Sequence, residues 1–333
     1  MKPFSIFQIA NYFHSRYAAK SCVCKAEPVS ICLFLTDRCT LSCKWCLRQT
    51  DTSFNTRTRV DMSLETVNRI LPYFPKATHV SLAGFGEPLL VDNLFKIVAE
   101  CKKRPMRVNL ITNGTLLTER IEEIIQAGLH RISISMNSLN SSEYQSTCGG
   151  SETTFHTVLK GIELLVRKRT SKKPYLHISF VLSRDLFKRI AEIIKFAEDA
   201  GVDFLDMHNL ISHDKDDIYK GMLTSDDEEV NVCLNEWRKK EYKVKVGWPV
   251  LVQKGLEKPV RICKTLWGWI GVDMEGNTAG CSKAMPTNIK YGNLFKEGTK
   301  VWNNEFRKGL RMSFLNRDKF LLDCCKTCTE VQP

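Results

Sequence analysis

The chain has 333 residues, 14 of them Cys, and 49 Lys and Arg against 37 Asp and Glu leave a formal net charge of +12. With 43% apolar and 26% charged residues the composition is globular, which excludes disorder, collagen and coiled coil as whole-chain descriptions. No stretch reaches the roughly 20 apolar residues that a membrane span needs. The first residues lack an apolar run followed by a small-residue cleavage site, so a secretory signal is not expected. Many cysteines in such a chain point to metal or redox use in a reducing, cytoplasmic setting rather than to a disulfide framework. The basic balance favours an anionic substrate or partner.

In chain order, residues 4–17 are apolar at 4, 6, 7, 9, 10 and 13. That pattern predicts an amphipathic helix packed against the rest of the fold, with attachment to a membrane surface as the competing use. Six short runs follow at 30–36, 79–83, 107–112, 131–136, 176–182 and 204–208. They are largely apolar, as expected for parallel strands buried on both faces. Helical patterns lie between them at 63–71, 92–103, 118–127, 153–169 and 186–200, with Ser63 and Asp92 as start signals and Gly128 and Gly201 as stops. Alternating strands and helices predict an α/β fold with a parallel sheet and right-handed crossovers. Six strands fit a partial (β/α)6 TIM-like barrel better than a closed eight-stranded one; an open doubly wound sheet is the alternative.

Beyond residue 208 the rhythm changes. An acid-rich helix is expected from Thr224 to about Lys240, a hairpin around Glu275-Gly276-Asn277, and a helix over about 300–312 before a Cys-rich end. The expected organisation is an N-terminal helical extension (1–29), a partial barrel (30–210), a linking segment (211–257) and a small α+β domain (258–333). Arg167 to Lys173 is a charge run that reads as a solvated face, so no nucleic-acid partner is expected.

Directly after the first run, Cys39, Cys43 and Cys46 have the spacing C-x3-C-x2-C. Three thiolates so close can converge on one metal site, and the composition gives roughly 0.02 chance occurrences of the pattern. On a four-iron cluster, three protein ligands leave one iron open. Zinc is the competing metal, although structural zinc sites usually supply four ligands.

This loop resembles that of the radical SAM superfamily, and further marks of the family follow in order. Gly84-Phe85-Gly86-Glu87-Pro88 is similar to the family's GGEP segment, with Phe85 in place of the second glycine. Thr112-Asn113-Gly114 ends the third run. Ser135-Met136-Asn137-Ser138 ends the fourth, where relatives often have Ser-Leu-Asp-Gly. Each alone would pass for a turn; together they fall at C-terminal strand ends, where barrel active sites assemble. The resemblance implies a [4Fe-4S] cluster on Cys39, Cys43 and Cys46 that binds S-adenosylmethionine. It makes Gly84, Phe85, Gly86, Glu87, Thr112, Asn113, Ser135 and Asn137 cofactor-binding candidates. Cys148 stands where relatives often carry Arg, and is either a hydrogen-atom donor or a small residue at a helix boundary. His208, at the end of the sixth run, is either a proton-transfer group or a hydrogen-bonded strand-end residue.

The spacing C-x12-G-x4-C from Cys263 to Cys281, with Cys324-Cys325 and Cys328 at the end, resembles the SPASM/twitch auxiliary-cluster domains. The resemblance implies one auxiliary [4Fe-4S] cluster on Cys263, Cys281, Cys325 and Cys328; Cys324 could replace Cys325, and a four-thiolate zinc site is the alternative. The remaining cysteines, among them Cys101 and Cys233, are expected to be structural. The implied chemistry is reductive cleavage of S-adenosylmethionine to a 5′-deoxyadenosyl radical, with electrons from a partner such as flavodoxin or ferredoxin. That radical would abstract hydrogen during oxidation or epimerisation of a small anionic or sugar-like metabolite. A peptide or protein maturase and a non-catalytic iron–sulfur protein are the alternatives. A molybdenum-cofactor-type cyclase is disfavoured, because its usual C-terminal ending is not evident.

Overall fold

A computed structural model describes residues 2–50, 60–212, 217–281 and 291–333. Strands β1 (Ser30–Phe34), β2 (His79–Ala83), β3 (Arg107–Thr112), β4 (Arg131–Ser135), β5 (Tyr175–Leu182) and β6 (Phe204–Asn209) are neighbours in chain order and all parallel. The expected α/β fold with a partial TIM-like barrel is therefore what the chain forms. β7 (Lys245–Gly247) adds beyond β6. β8 (Trp269–Val272) adds parallel to β1, and β9 (Thr278–Ala279) pairs antiparallel with β8. The hairpin expected around Gly276 thus continues the main sheet. Its turn is closed by the Asp273 carboxylate, which accepts the N–H groups of Glu275 and Asn277 at 2.9 and 2.8 Å.

The helices are α1 (Ile6–Tyr17), α2 (Leu47–Thr50), α3 (Leu64–Ile70), α4 (Leu94–Lys102), α5 (Leu117–Ala127), α6 (Ser141–Cys148), α7 (Glu152–Lys168), α8 (Ile190–Asp199), α9 (Glu228–Arg238), α10 (Leu294–Glu297) and α11 (Glu305–Asn316). Their inward stripes follow the 3.6-residue period. α7 buries Phe155, Val158, Ile162 and Leu165, and α8 buries Ile190, Ile193, Ile194 and Ala197. Each of these Phe, Val, Ile and Leu side chains contributes about 1.5–3 kcal/mol on leaving water. Ser63 and Ser151 cap α3 and α7 by accepting the N–H groups of Thr66 and Thr154.

Several expectations are corrected. α4 starts at Leu94 with Asn93, not Asp92, in the cap position. α9 starts only at Glu228, because Asp227 is extended and accepts the Val230 N–H. α11 starts at Glu305 for the same reason, capped by Asn304, while Gly298–Asn303 forms a tighter 3-10 turn.

The strands are also not uniformly apolar. The side that meets the helices carries Val80, Leu82, Ile132, Ile134, Ile178, Phe180, Leu205 and Met207, all buried. The concave side carries Ser133 beside His177, and then Ser135, Ser179 and Asp206 in register, with Val181 beside His208. An open sheet leaves that inner face lining a cavity rather than a second apolar layer.

Candidate metal centre and cofactor cavity

The Cys39 loop leaves β1 under tight restraint. The Thr36 hydroxyl donates to Asp61 at 2.7 Å, and Arg38 binds the same carboxylate and the Leu90 carbonyl. The far side of the loop hangs on the end of α6, where Ser42 N–H donates to the Cys148 carbonyl and Lys44 N–H to that of Thr147. Gly86 and Glu87 N–H groups donate to the carbonyls of Thr36 and Arg38 at 2.9 and 2.7 Å. A Cβ at Gly86 would run into those same two oxygens, so only glycine lets the β2 end approach the loop.

Glu87 is 1% exposed, and its carboxylate accepts the Thr112 hydroxyl, the Asn113 N–H and the Leu89 N–H at 2.6, 2.6 and 2.9 Å. Burial raises its carboxyl pKa, while these bonds lower it. Asn113 Nδ2 in turn donates to Thr40 Oγ1 at 3.0 Å and lies 3.5 Å from Cys39 Sγ. Asn137 Oδ1 accepts the Val181 N–H at 2.9 Å and joins the ends of β4 and β5.

These ties bring the four sequence segments around one cavity of about 510 Å³. Cys39, Cys43, Cys46, Gly84, Phe85, Gly86, Glu87, Thr112, Asn113, Ser135 and Asn137 all line it. Sequence reasoning missed Ser183, Asp185 and Leu210, past the ends of β5 and β6, which complete the far wall. The signal was their position one to three residues beyond a strand, the same logic that located the other four segments.

Cys148 and His208 are not among the lining residues. Cys148 is buried at the end of α6, its thiol within hydrogen-bonding reach of Cys43 Sγ and 3.6 Å from Thr147 Oγ1. The bond to Cys148, burial and the neighbouring Cys46 and Cys39 push Cys43 upward. His208 is half exposed on the inner face, with Nε2 3.0 Å from Asp206 Oδ2. On the other side of Asp206, His177 Nε2 stands 3.5 Å away without a hydrogen-bond partner, and its Nδ1 meets Ser133 Oγ at 3.1 Å. Burial pushes Asp206 up, but the two imidazoles outweigh it and hold the carboxyl below its ordinary range.

A second cavity, of about 100 Å³, gathers Cys263, Cys281, Cys324, Cys325 and Cys328 against Tyr291 and Phe314. Burial, together with the neighbouring Cys328, pushes the Cys263 thiol up to about 11. Cys325 is pushed up by Cys324, burial, Cys281 and Cys328. Arg307, 2% exposed, lies close by over the Tyr291 and Trp302 rings at 5.1 and 5.4 Å. Its Nη2 donates to Thr278 and Ala279, but Nε and Nη1 have no partner, and burial brings its pKa down to about 9. Among the described residues, no three His, Cys, Asp or Glu side chains are gathered tightly enough to chelate a single metal ion.

A parallel α/β sheet whose C-terminal edge holds three thiols beside a cofactor-sized cavity offers a place for an iron–sulfur cluster next to a nucleotide-like cofactor. Residues 33–197 match the radical SAM superfamily model, so this part of the chain is a radical SAM domain.

The tungsten-containing aldehyde ferredoxin oxidoreductase cofactor-modifying protein of Pyrococcus furiosus is 27% identical over 183 residues, 54% of this chain and 51% of that protein. The GTP 3′,8-cyclase of Saccharophagus degradans is 26% identical over 238 residues, 65% of this chain and 70% of that enzyme. The chain spans about half the length of the first curated relatives it matches. Among solved structures, Streptococcus suis SuiB bound to precursor peptide SuiA superposes with a TM-score of 0.68 at 15% identity, over 97% of this chain and 73% of that one. Native anSMEcpe with bound AdoMet gives 0.64 at 16%, over 91% and 88%. At these identities the likeness is one of fold.

A radical SAM domain implies a [4Fe-4S] cluster and S-adenosylmethionine, and the residues fit both. The three thiols share one cavity wall, and Cys46 and Cys39 help to push Cys43 upward, a repulsion that a cationic cluster relieves. The cavity beside them is wide enough for a nucleoside and mixes apolar walls with the hydroxyl and amide groups of Ser135, Ser183 and Asn137.

Proposed function

We propose that the protein is a radical SAM enzyme that oxidises or epimerises a small, anionic or sugar-like metabolite with the help of an auxiliary iron–sulfur centre. The observation that carries this reading is the second cavity, where five thiols converge beside a buried, incompletely partnered Arg307. Cys39, Cys43 and Cys46 would hold the first cluster, and Cys263, Cys281, Cys325 and Cys328 the auxiliary one. When bound, the first cluster with S-adenosylmethionine supplies a 5′-deoxyadenosyl radical that removes hydrogen from an unactivated C–H bond.

The chain's own contribution is positional. Phe85, Ile111, Val181 and Leu210 wall the cavity against water, and Ser135, Asn137 and Ser183 offer polar contacts to a bound nucleoside or substrate. Asp206 between His177 and His208 forms a polar string on the inner face, suited to holding a hydroxylated substrate or taking up a proton from it. An electron donor such as flavodoxin or ferredoxin completes the reading, and the net charge of +12 suits such acidic partners.

A peptide maturase is the second reading, favoured by the likeness to SuiB over nearly the whole chain. The test is anaerobic reconstitution followed by reduction with S-adenosylmethionine. Formation of 5′-deoxyadenosine in the wild type and its loss in C39A/C43A/C46A is expected. Product formation that survives the triple change sinks the assignment. Deuterium transfer into 5′-deoxyadenosine from labelled phosphorylated sugars, against labelled peptides, separates the two substrate classes.

A further inference from the structure

Helix α1 sits on the protein the wrong way round for an ordinary amphipathic helix. Its buried residues are Gln8 and Asn11. Gln8 Nε2 donates to the carbonyls of Ala77 and Pro105 at 2.8 and 3.1 Å. Asn11 exchanges two hydrogen bonds with the Glu27 backbone at 3.0 and 2.9 Å. Its apolar side chains face outward: Ile6 is 76% exposed, Phe7 71%, Tyr17 69%, Phe13 57% and Ile9 45%. Ile6, Phe7 and Tyr17 are the most exposed large apolar side chains among the described residues. At 3.6 residues per turn Ile6, Ile9, Phe13 and Tyr17 form one stripe, with Phe7 beside it. The sequence expectation that this face packs on the barrel is thus reversed. A contiguous apolar stripe left in water marks an interaction surface.

Charge says what covers it. Residues 2–26 contain Lys2, Arg16, Lys20 and Lys25 and no Asp or Glu. All four cations are exposed, and by helical geometry His14 and Arg16 flank the stripe on its two sides. Cations beside an outward apolar stripe match an anionic lipid surface, where rings and aliphatic chains enter the headgroup boundary and basic groups meet phosphates. A second copy of the chain fits less well, because a two-fold contact through this face would set the same cations against one another. The helix is anchored where the chain enters β1, β2 and β3, the sheet edge opposite the thiol loop, so a surface there leaves the cavity mouth open. No helix among the described residues is long and apolar enough to cross a membrane, so the association is peripheral.

We propose that α1 seats the protein on an anionic lipid surface through Ile6, Phe7, Ile9, Phe13 and Tyr17. The test is co-sedimentation of the full chain with phosphatidylcholine vesicles, with and without phosphatidylglycerol. Binding to the phosphatidylglycerol vesicles, reversed by added salt, is expected. In F7Q/F13Q the bound fraction is expected to fall by about tenfold or more. Both side chains are exposed, so the change leaves the fold intact, which far-UV circular dichroism and iron content check. Absence of binding to the anionic vesicles at low salt overturns the proposal, as does equal binding by the double variant. Sedimentation velocity supplies the other arm: a dimer that F7Q/F13Q dissociates would assign the stripe to a second copy and overturn it too.

Discussion

The Glu87 carboxylate accepts the Thr112 hydroxyl at 2.6 Å, which locks the end of β2 to the end of β3 just below the thiol loop. The same carboxylate takes the Asn113 N–H, and Asn113 is the residue that reaches Cys39 Sγ. The glutamate proposed as a cofactor-binding residue is thus also a buried strut in the fold, on the wall of the cavity. Glu87→Ala leaves three donors without a partner and is expected to cost about 3 kcal/mol or more. Glu87→Gln keeps one acceptor oxygen and is expected to cost about 1–3 kcal/mol. Urea denaturation measures both, and titration calorimetry with S-adenosylmethionine should show weaker binding in the same order.

Cys148 faces Cys43 rather than the cavity. The two thiols lie within hydrogen-bonding reach; with Cys43 held as a thiolate by a cluster, Cys148 would be the donor, and such bonds raise the reduction potential of a thiolate-held cluster. Cys148→Ala is expected to retain iron and 5′-deoxyadenosine formation while the potential of the first cluster moves to a more negative value. Spectroelectrochemistry reads this directly. An unchanged potential together with lost product would restore the hydrogen-donor role.

At the second cavity, Cys325 feels Cys281 and Cys328 as well as its neighbour Cys324. Cys325→Ala is expected to halve a complement of about eight irons, whereas Cys324→Ala keeps nearly all of it. Iron analysis after anaerobic reconstitution distinguishes the two. The reverse result would exchange the roles of these adjacent thiols.

Arg307 holds a positive charge beside those thiols with two of its nitrogens unpartnered. A buried cation favours the anionic form of a thiolate cluster. Arg307→Leu fills the space without the charge. It is expected to weaken iron retention at the second site by about tenfold, measured as the rate of iron loss to a chelator, with the first site unaffected.

His79, beneath the inner face, is pushed down to about 4 by burial and by Arg107, His130 and Arg131. An unfolded chain takes up this proton at the ordinary value of about 6.5, so between those values the unfolded state binds more protons. Stability therefore falls as the pH drops through that window. His79→Gln removes part of the slope, which urea midpoints at about pH 7 and about pH 5 will show as a smaller difference than in the wild type.

The chain order of β1 to β6 and the four segments around the first cavity were legible in the sequence, because each depends on short-range rules. Strand runs end in glycine, asparagine or cysteine turns, and parallel topology puts all those turns on one edge. The orientation of α1 was not legible. Its period shows that an apolar face exists, but the side that faces the protein was decided by Gln8 and Asn11, whose carbonyl partners lie as far away as Ala77 and Pro105. The polar inner face was missed for a related reason. An isolated run such as His79–Ala83 shows alternation, and only the open sheet decides that Ser81 faces the inside. Likewise Trp269–Val272 announces a strand, yet nothing local says that its partner is β1.

That last pairing has a kinetic consequence. β8 runs in register with β1 from Ser30–Trp269 to Leu33–Val272, and β1 feeds the first thiol loop while β8 follows Cys263 by six residues. Because the two strands are parallel, the first thiol loop leaves the C-terminal end of this ladder while Cys263 enters at its N-terminal end, so the two thiol cavities hang at opposite ends of one hydrogen-bonded pair. Tunnelling rates fall exponentially with separation. Any electron exchanged between centres held there would have to cross the length of that paired segment, a span that the backbone register sets.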